Sequence, residues 1–141
     1  MHKTMKFSIA VLVLLVLSGC GRKEAPQMIS DAATIPQITD LRSEVNVSVL
    51  RMDFVLEGDA RGVGYQIDRT KIDPYCQCPG LWRRYFEQRA MAKQVGAKSY
   101  KMIHMKDYTT ELVFRIRAID VFGNFGPWSK IIHARGIDPD K

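Results

Sequence analysis

Residues 112–129 read LVFRIRAIDVFGNFGPWS, and this stretch decides the fold. Leu112, Phe114, Ile116 and Ala118 fall at every second position, with Arg115 and Arg117 between them. That alternation puts the apolar side chains on one face of a strand and the charges on the other. Gly123-Asn124-Phe125-Gly126-Pro127 then supplies a turn. Upstream, Val63, Tyr65 and Ile67 alternate with Gly64, Gln66 and Asp68, the pattern of a half-buried strand. Val45, Val47 and Val49 begin another strand, whose apolar phase then moves to Leu50, Met52 and Phe54. A one-residue change of phase predicts a β-bulge within a continuous strand.

Further strands are expected at Leu81–Phe86, Ser99–Met105 and Trp128–Ala134, with a turn at Asp59-Ala60-Arg61-Gly62. About seven short strands over roughly 100 residues predict an all-β fold, an antiparallel seven-stranded β-sandwich. The domain is expected over 35–137. Leu81, Trp82, Tyr85 and Phe86 also fit one helical face, and 87–95 holds good helix formers. The expectation there is a strand followed by a loop or a single helical turn.

The 112–129 block resembles the last two strands of fibronectin type III domains, in which Asp-x-x-Gly-Asn follows an aromatic-x-Phe-Arg-Val-x-Ala run and Ser-x-Trp-Ser comes next. Pro36-Gln37-Ile38-Thr39-Asp40-Leu41 is similar to the family's opening, and Tyr65-Gln66-Ile67-Asp68-Arg69 to its Tyr-x-Val-x-Arg strand. Two positions depart from the pattern. Leu112 stands where the family places its corner tyrosine, and Phe54 where it places a core tryptophan. The resemblance implies a fibronectin type III/immunoglobulin-like sandwich, used elsewhere as a spacer or adhesion module. The Asp73–Ala97 connection is longer than the family's usual one.

The N-terminus carries an address. Lys3 and Lys6 form a basic start with no acid, and Phe7–Leu17 is an eleven-residue apolar run broken only by Ser8. A membrane-spanning helix needs about 20 apolar residues, so the run has the length of a signal-peptide core. Leu17-Ser18-Gly19-Cys20 follows it and resembles the lipobox of bacterial lipoproteins. The resemblance implies cleavage before Cys20, acylation of its sulfur and amino group, and attachment to a membrane of the cell envelope. Gly21, where many inner-membrane lipoproteins carry Asp, implies the outer membrane if the envelope is Gram-negative. The chain thus divides into a signal peptide (1–19), a lipidated polar tether (20–34) and the domain. As a coil, the fourteen residues Gly21–Thr34 average about 20 Å end to end.

Removal of 1–19 leaves 122 residues, one domain in size. It also removes two lysines, lowering the net charge from +6 to +4. That is too little for a nucleic-acid-binding surface. Cys76 and Cys78 remain, outside the cytoplasm, where disulfides persist. A local Cys76–Cys78 bridge, two free thiols and an intermolecular or metal role are all open at this point. A structural zinc site wants four ligands, and His104 and His133 stand apart in the sequence, so no metal or other cofactor is expected.

No Gly-rich phosphate loop, His-Glu-x-x-His or Gly-x-Ser-x-Gly occurs. Asp107, Asp120 and His104 can be grouped as an acid–base set, but nothing fixes their geometry. The expectation is therefore a non-enzyme. The segment Trp82–Lys106 holds seven basic residues against the single acid Glu87. Aromatics interleave with these charges, a composition enriched at binding surfaces. Tyr75, Trp82, Arg83, Arg84 and Tyr85 are the candidate patch. The expected partner is another envelope protein, with an anionic glycolipid or polysaccharide as one alternative and a role in outer-membrane assembly as another.

Overall fold

The computed structural model describes residues 34–137. Among the described residues seven strands are present: β1 (Gln37–Asn46), β2 (Val49–Glu57), β3 (Val63–Lys71), β4 (Arg83–Met91), β5 (Lys98–His104), β6 (Leu112–Asp120) and β7 (Ile132–Ala134). They form two antiparallel sheets, β1-β2-β5 and β4-β3-β6-β7. This is a β-sandwich of the expected class. Between the sheets lies one apolar core that includes Phe54, Tyr65, Ile67, Phe114 and Ile116. The rings of Phe54 and Tyr65 meet edge to face across it, with centroids 4.9 Å apart. Phe54 is buried, and Leu112 also joins the core.

Three local expectations are corrected. The change of phase near Leu50 is a chain reversal: Asn46 pairs with Val49, and Val47-Ser48 closes a two-residue hairpin. Val47 takes a positive φ of 51° to make that turn. A bulge does occur, but earlier, where Asp40 and Leu41 of β1 oppose Phe54 alone. Second, Trp128–Ala134 is a strand only over Ile132–Ala134. Upstream of it, the Ser129 hydroxyl accepts the Ile116 N–H at 3.0 Å, taking the place of a main-chain acceptor. Third, β3 is buried on both faces rather than one, since its outward-pointing Gln66 and Asp68 are only 4% and 6% exposed.

Strand β4 runs from Arg83 to Met91, farther than expected, and ends in a single 3-10 turn at Ala92–Gln94. Its pairing with β3 is interrupted twice, between Ile67 and Asp68 and between Val63 and Tyr65. At the second interruption the β4 backbone folds over Gly64. A Cβ there would collide with main-chain atoms of Gln88, Arg89 and Ala90. Only glycine permits that approach.

The topology gives the sandwich two distinct ends. Thr34–Pro36 and loops 58–62, 92–97 and 121–125 share one end. The turn 47–48 and loops 72–82 and 105–111 share the other. The entering chain is fixed at the first end, where the Pro36 carbonyl fills the space a Cβ on Gly126 would need.

Candidate binding surfaces

The polar outer face of the four-stranded sheet is a hydrogen-bonded network. Asp68 on β3 accepts from Arg84 Nε at 2.7 Å and from Arg115 Nη2 at 3.1 Å. Gln66 donates to Glu87 at 2.8 Å and accepts from Arg117 Nε at 3.0 Å. Arg84 also bonds Glu87 at 2.7 Å. Above this layer the cations and rings alternate. The Arg115 guanidinium lies between Trp82 and Trp128, 4.4 and 4.1 Å from their centroids. Arg117 lies between Trp128 and Phe125, at 4.3 and 3.8 Å. Each stacked cation is attracted by the ring quadrupole, and more strongly where water is excluded. Burial, and after it the nearby Arg84 charge, hold the Arg117 guanidinium below its usual pKa. Apart from Arg115 Nε, which is buried without a hydrogen-bond partner, these groups satisfy one another, and the face is a lid over β3.

The expected patch is divided by this arrangement. Trp82 and Arg84 belong to the lid. The Tyr85 ring packs edge-on to Phe114 at 6.1 Å, under the Arg69 guanidinium at 4.8 Å. Arg83 stays exposed on β4. Tyr75 is on the loop between β3 and β4 and is almost fully exposed. Cys20 lies outside the described residues. Four members of the lid, Arg115, Arg117, Trp128 and Phe125, were not in the expected patch. Their signal was the outward phase of β6 together with aromatics spaced along the following segment.

The Tyr75 loop is pinned from within. Cys76 and Cys78 are bonded, with Cα atoms 5.2 Å apart. Asp73 N–H donates to the Cys78 carbonyl at 3.0 Å, and Gln77 N–H to the Asp73 carbonyl at 2.9 Å. The Asp73 carboxylate accepts the Tyr75 N–H at 2.8 Å, an Asx turn. At the base, Gly80 N–H donates to the Lys71 carbonyl. On this frame Tyr75 is 97% exposed and Leu81 is 79% exposed. Among the described residues neither side chain belongs to the core.

Asp107 and Asp120, grouped above with His104, both serve turns. Asp107 accepts from the Thr109 N–H at 2.8 Å and hydroxyl at 2.6 Å, which hold its carboxyl well below the usual carboxylate range. Asp120, nearly buried, accepts from the N–H groups of Phe122 and Asn124 and from the Asn124 amide, each at 2.8 Å. His133 pairs with Glu111 at 2.6 Å. Among the described residues no group of three or more His, Cys, Asp or Glu is placed to hold a metal ion.

No family model matches the chain, and no curated protein does. Among solved structures it is similar to one described as a myokine structure, with a TM-score of 0.50 and 14% identity over 76% of this chain and all of that one. That likeness concerns the fold alone.

Proposed function

We propose that the chain is a lipid-anchored cell-envelope protein whose sandwich is a non-catalytic protein-interaction module. The observation that carries the reading is Leu17-Ser18-Gly19-Cys20, placed where cleavage must fall after the Phe7–Leu17 run. Two or more acyl chains anchor stably where one binds only marginally, so lipidated Cys20 dominates localisation. Gly21 favours the outer membrane in a Gram-negative envelope.

The contact surface in this reading is the Asp73–Leu81 loop. A tyrosine held out on a pinned loop adds contact area at little ordering cost, the property of a binding hot spot. Thr34 and Tyr75 sit at opposite ends of the sandwich, which supports the loop facing away from the anchoring membrane. The glycolipid alternative is less favoured, because Arg84 is spent on two carboxylates and the Trp82 face on Arg115.

The test is a pair of variants in crosslinked cells. Cys20→Ala should release the domain from carbonate-washed membranes or leave uncleaved precursor. Tyr75→Ala should stay in the membrane and lose its crosslinked partner. Membrane retention of the first, or an unchanged partner for the second, contradicts the corresponding half of the reading.

A further inference from the structure

We infer that the sandwich end from which the chain leaves toward Cys20 is itself a membrane contact: its apolar loop tips and unpaired cations dock on the anionic phospholipid surface that holds the anchor. The inference rests on the lipid-anchor reading and adds an orientation to it.

Three observations meet at this end. Val121 and Phe122, on the loop after β6, are 44% and 45% exposed, Phe122 with the Arg61 guanidinium over one face of its ring, and Ile35 is 61% exposed. Half-exposed apolar side chains at a tip are what an interfacial contact buries. Their neighbours include three exposed cations. Arg89 shares a shallow groove with Val121 and Gly123, whose two acids are already engaged, Glu87 by Arg84 and Asp120 by the N–H groups of Phe122 and Asn124. Lys93 lies in the adjacent turn, and Lys98 opens β5 beside it. Among the described residues none of these three cations forms an ion pair. Basic residues near an anionic bilayer are drawn to it within about a Debye length.

The length of the chain supplies the third observation. Fourteen residues join Cys20 to Thr34, averaging about 20 Å as a coil. A nine-residue strand such as β3 spans about 30 Å. On average the linker thus spans less than the domain's length, and the Thr34 end, to which it is joined, is the end held nearest the lipid. Apolar tips, cations and exit point coincide, and the occupant they fit is the bilayer surface.

The experiment uses the mature lipidated chain reconstituted into phosphatidylglycerol-containing vesicles and, separately, into phosphatidylcholine vesicles. Flotation reports the anchor, and amide hydrogen exchange reports the tip. Exchange over 119–126 is expected to slow at least about threefold in the anionic vesicles relative to the neutral ones, with 73–81 unchanged. The double variant Val121→Asp, Phe122→Asp should abolish the difference and still float. Arg89→Glu with Lys93→Glu, which leaves the tips intact, should reduce it. Equal exchange in both vesicle types, with flotation intact, overturns the docking and spares the anchor. Protection that rises with protein density in neutral vesicles overturns it in favour of a second copy of the chain. A protein that fails to float overturns both.

Discussion

Asp68 on the central strand β3 and Arg115 on β6 meet 3.1 Å apart on the outer face of the four-stranded sheet, with the Asp68 side chain only 9% exposed. The same carboxylate holds Arg84. Asp68→Ala leaves Arg115 without a carboxylate and Arg84 with Glu87 alone. The expected loss is about 2–3 kcal/mol, less than the 3–5 of a fully buried pair because both arginines keep some water. Urea denaturation measures it. A loss under about 0.5 kcal/mol, the size of a surface substitution, would mean that the network is not coupled to folding.

Phe114 is fully buried between the sheets. Phe114→Ala should cost about 3–5 kcal/mol, the usual range for a large aromatic in a core. A small domain has only about 5–15 kcal/mol in total, so the variant should be close to unfolding at room temperature. A stable variant would contradict the strand register given above.

The core was legible because period-two alternation reports burial directly. Leu112, Phe114 and Ile116 face inward as their spacing requires, and Val63, Tyr65 and Ile67 lie beside them on the same inner face. The hairpin at Val47-Ser48 was not legible. Its turn has a β-branched residue at positive φ where Asn or Gly would announce it, so only the phase change was visible. The lid was half legible. Arg115 and Arg117 had the outward phase, but their stacking on Trp82, Trp128 and Phe125 joins residues from three separate segments. Pairings of that kind depend on tertiary placement, which a local pattern does not encode. The loop prolines marked an irregular segment, and the loop's exposure came only with the fold.

Gly64→Ala tests the crossing of β4 over β3. The added methyl meets the backbone of Gln88–Ala90, which cannot move as a flexible side chain would. Overpacking of this kind costs about 1–3 kcal/mol. Hydrogen exchange should localise the damage, with faster exchange over 87–91 and little change in β2 or β6. Uniform exchange across both sheets would show that β4 is not separately held at this point.

Acid sensitivity has a defined window at the 58–62 loop. The Arg61 side chain and backbone N–H hold the Asp59 carboxyl down from 3.8 to about 2. A carboxylate depressed in the folded state stabilises above its unfolded pKa, and that contribution fades as pH falls through the folded value. The Asp59 contribution should therefore be complete above about pH 4 and lost toward pH 2. A carboxyl chemical-shift titration with a midpoint near 4 would show the pair to be absent in solution. Arg61→Ala should move the midpoint upward.

Removing the Cys76–Cys78 bridge separates loop order from domain stability. A closed segment this short returns at most about 1.5 kcal/mol of unfolded-chain entropy. The Cys76→Ser, Cys78→Ser variant should therefore keep its fold, since the Asp73 hydrogen bonds remain. Partner recovery should fall, because the loop must then be ordered on contact. Calorimetry and crosslinking read together decide it: a large drop in the melting temperature would make the bridge a structural element.

The central claim is that a membrane-anchored sandwich offers Tyr75 to another envelope protein. It is tested most directly by placing a photocrosslinking amino acid at position 75 of the lipidated chain in living cells, with the same substitution at Arg42 on the opposite sheet as the control. The account predicts one recurrent protein adduct from position 75 in the membrane fraction and none from position 42. Adducts from position 42 alone, or only lipid adducts at position 75, would contradict it.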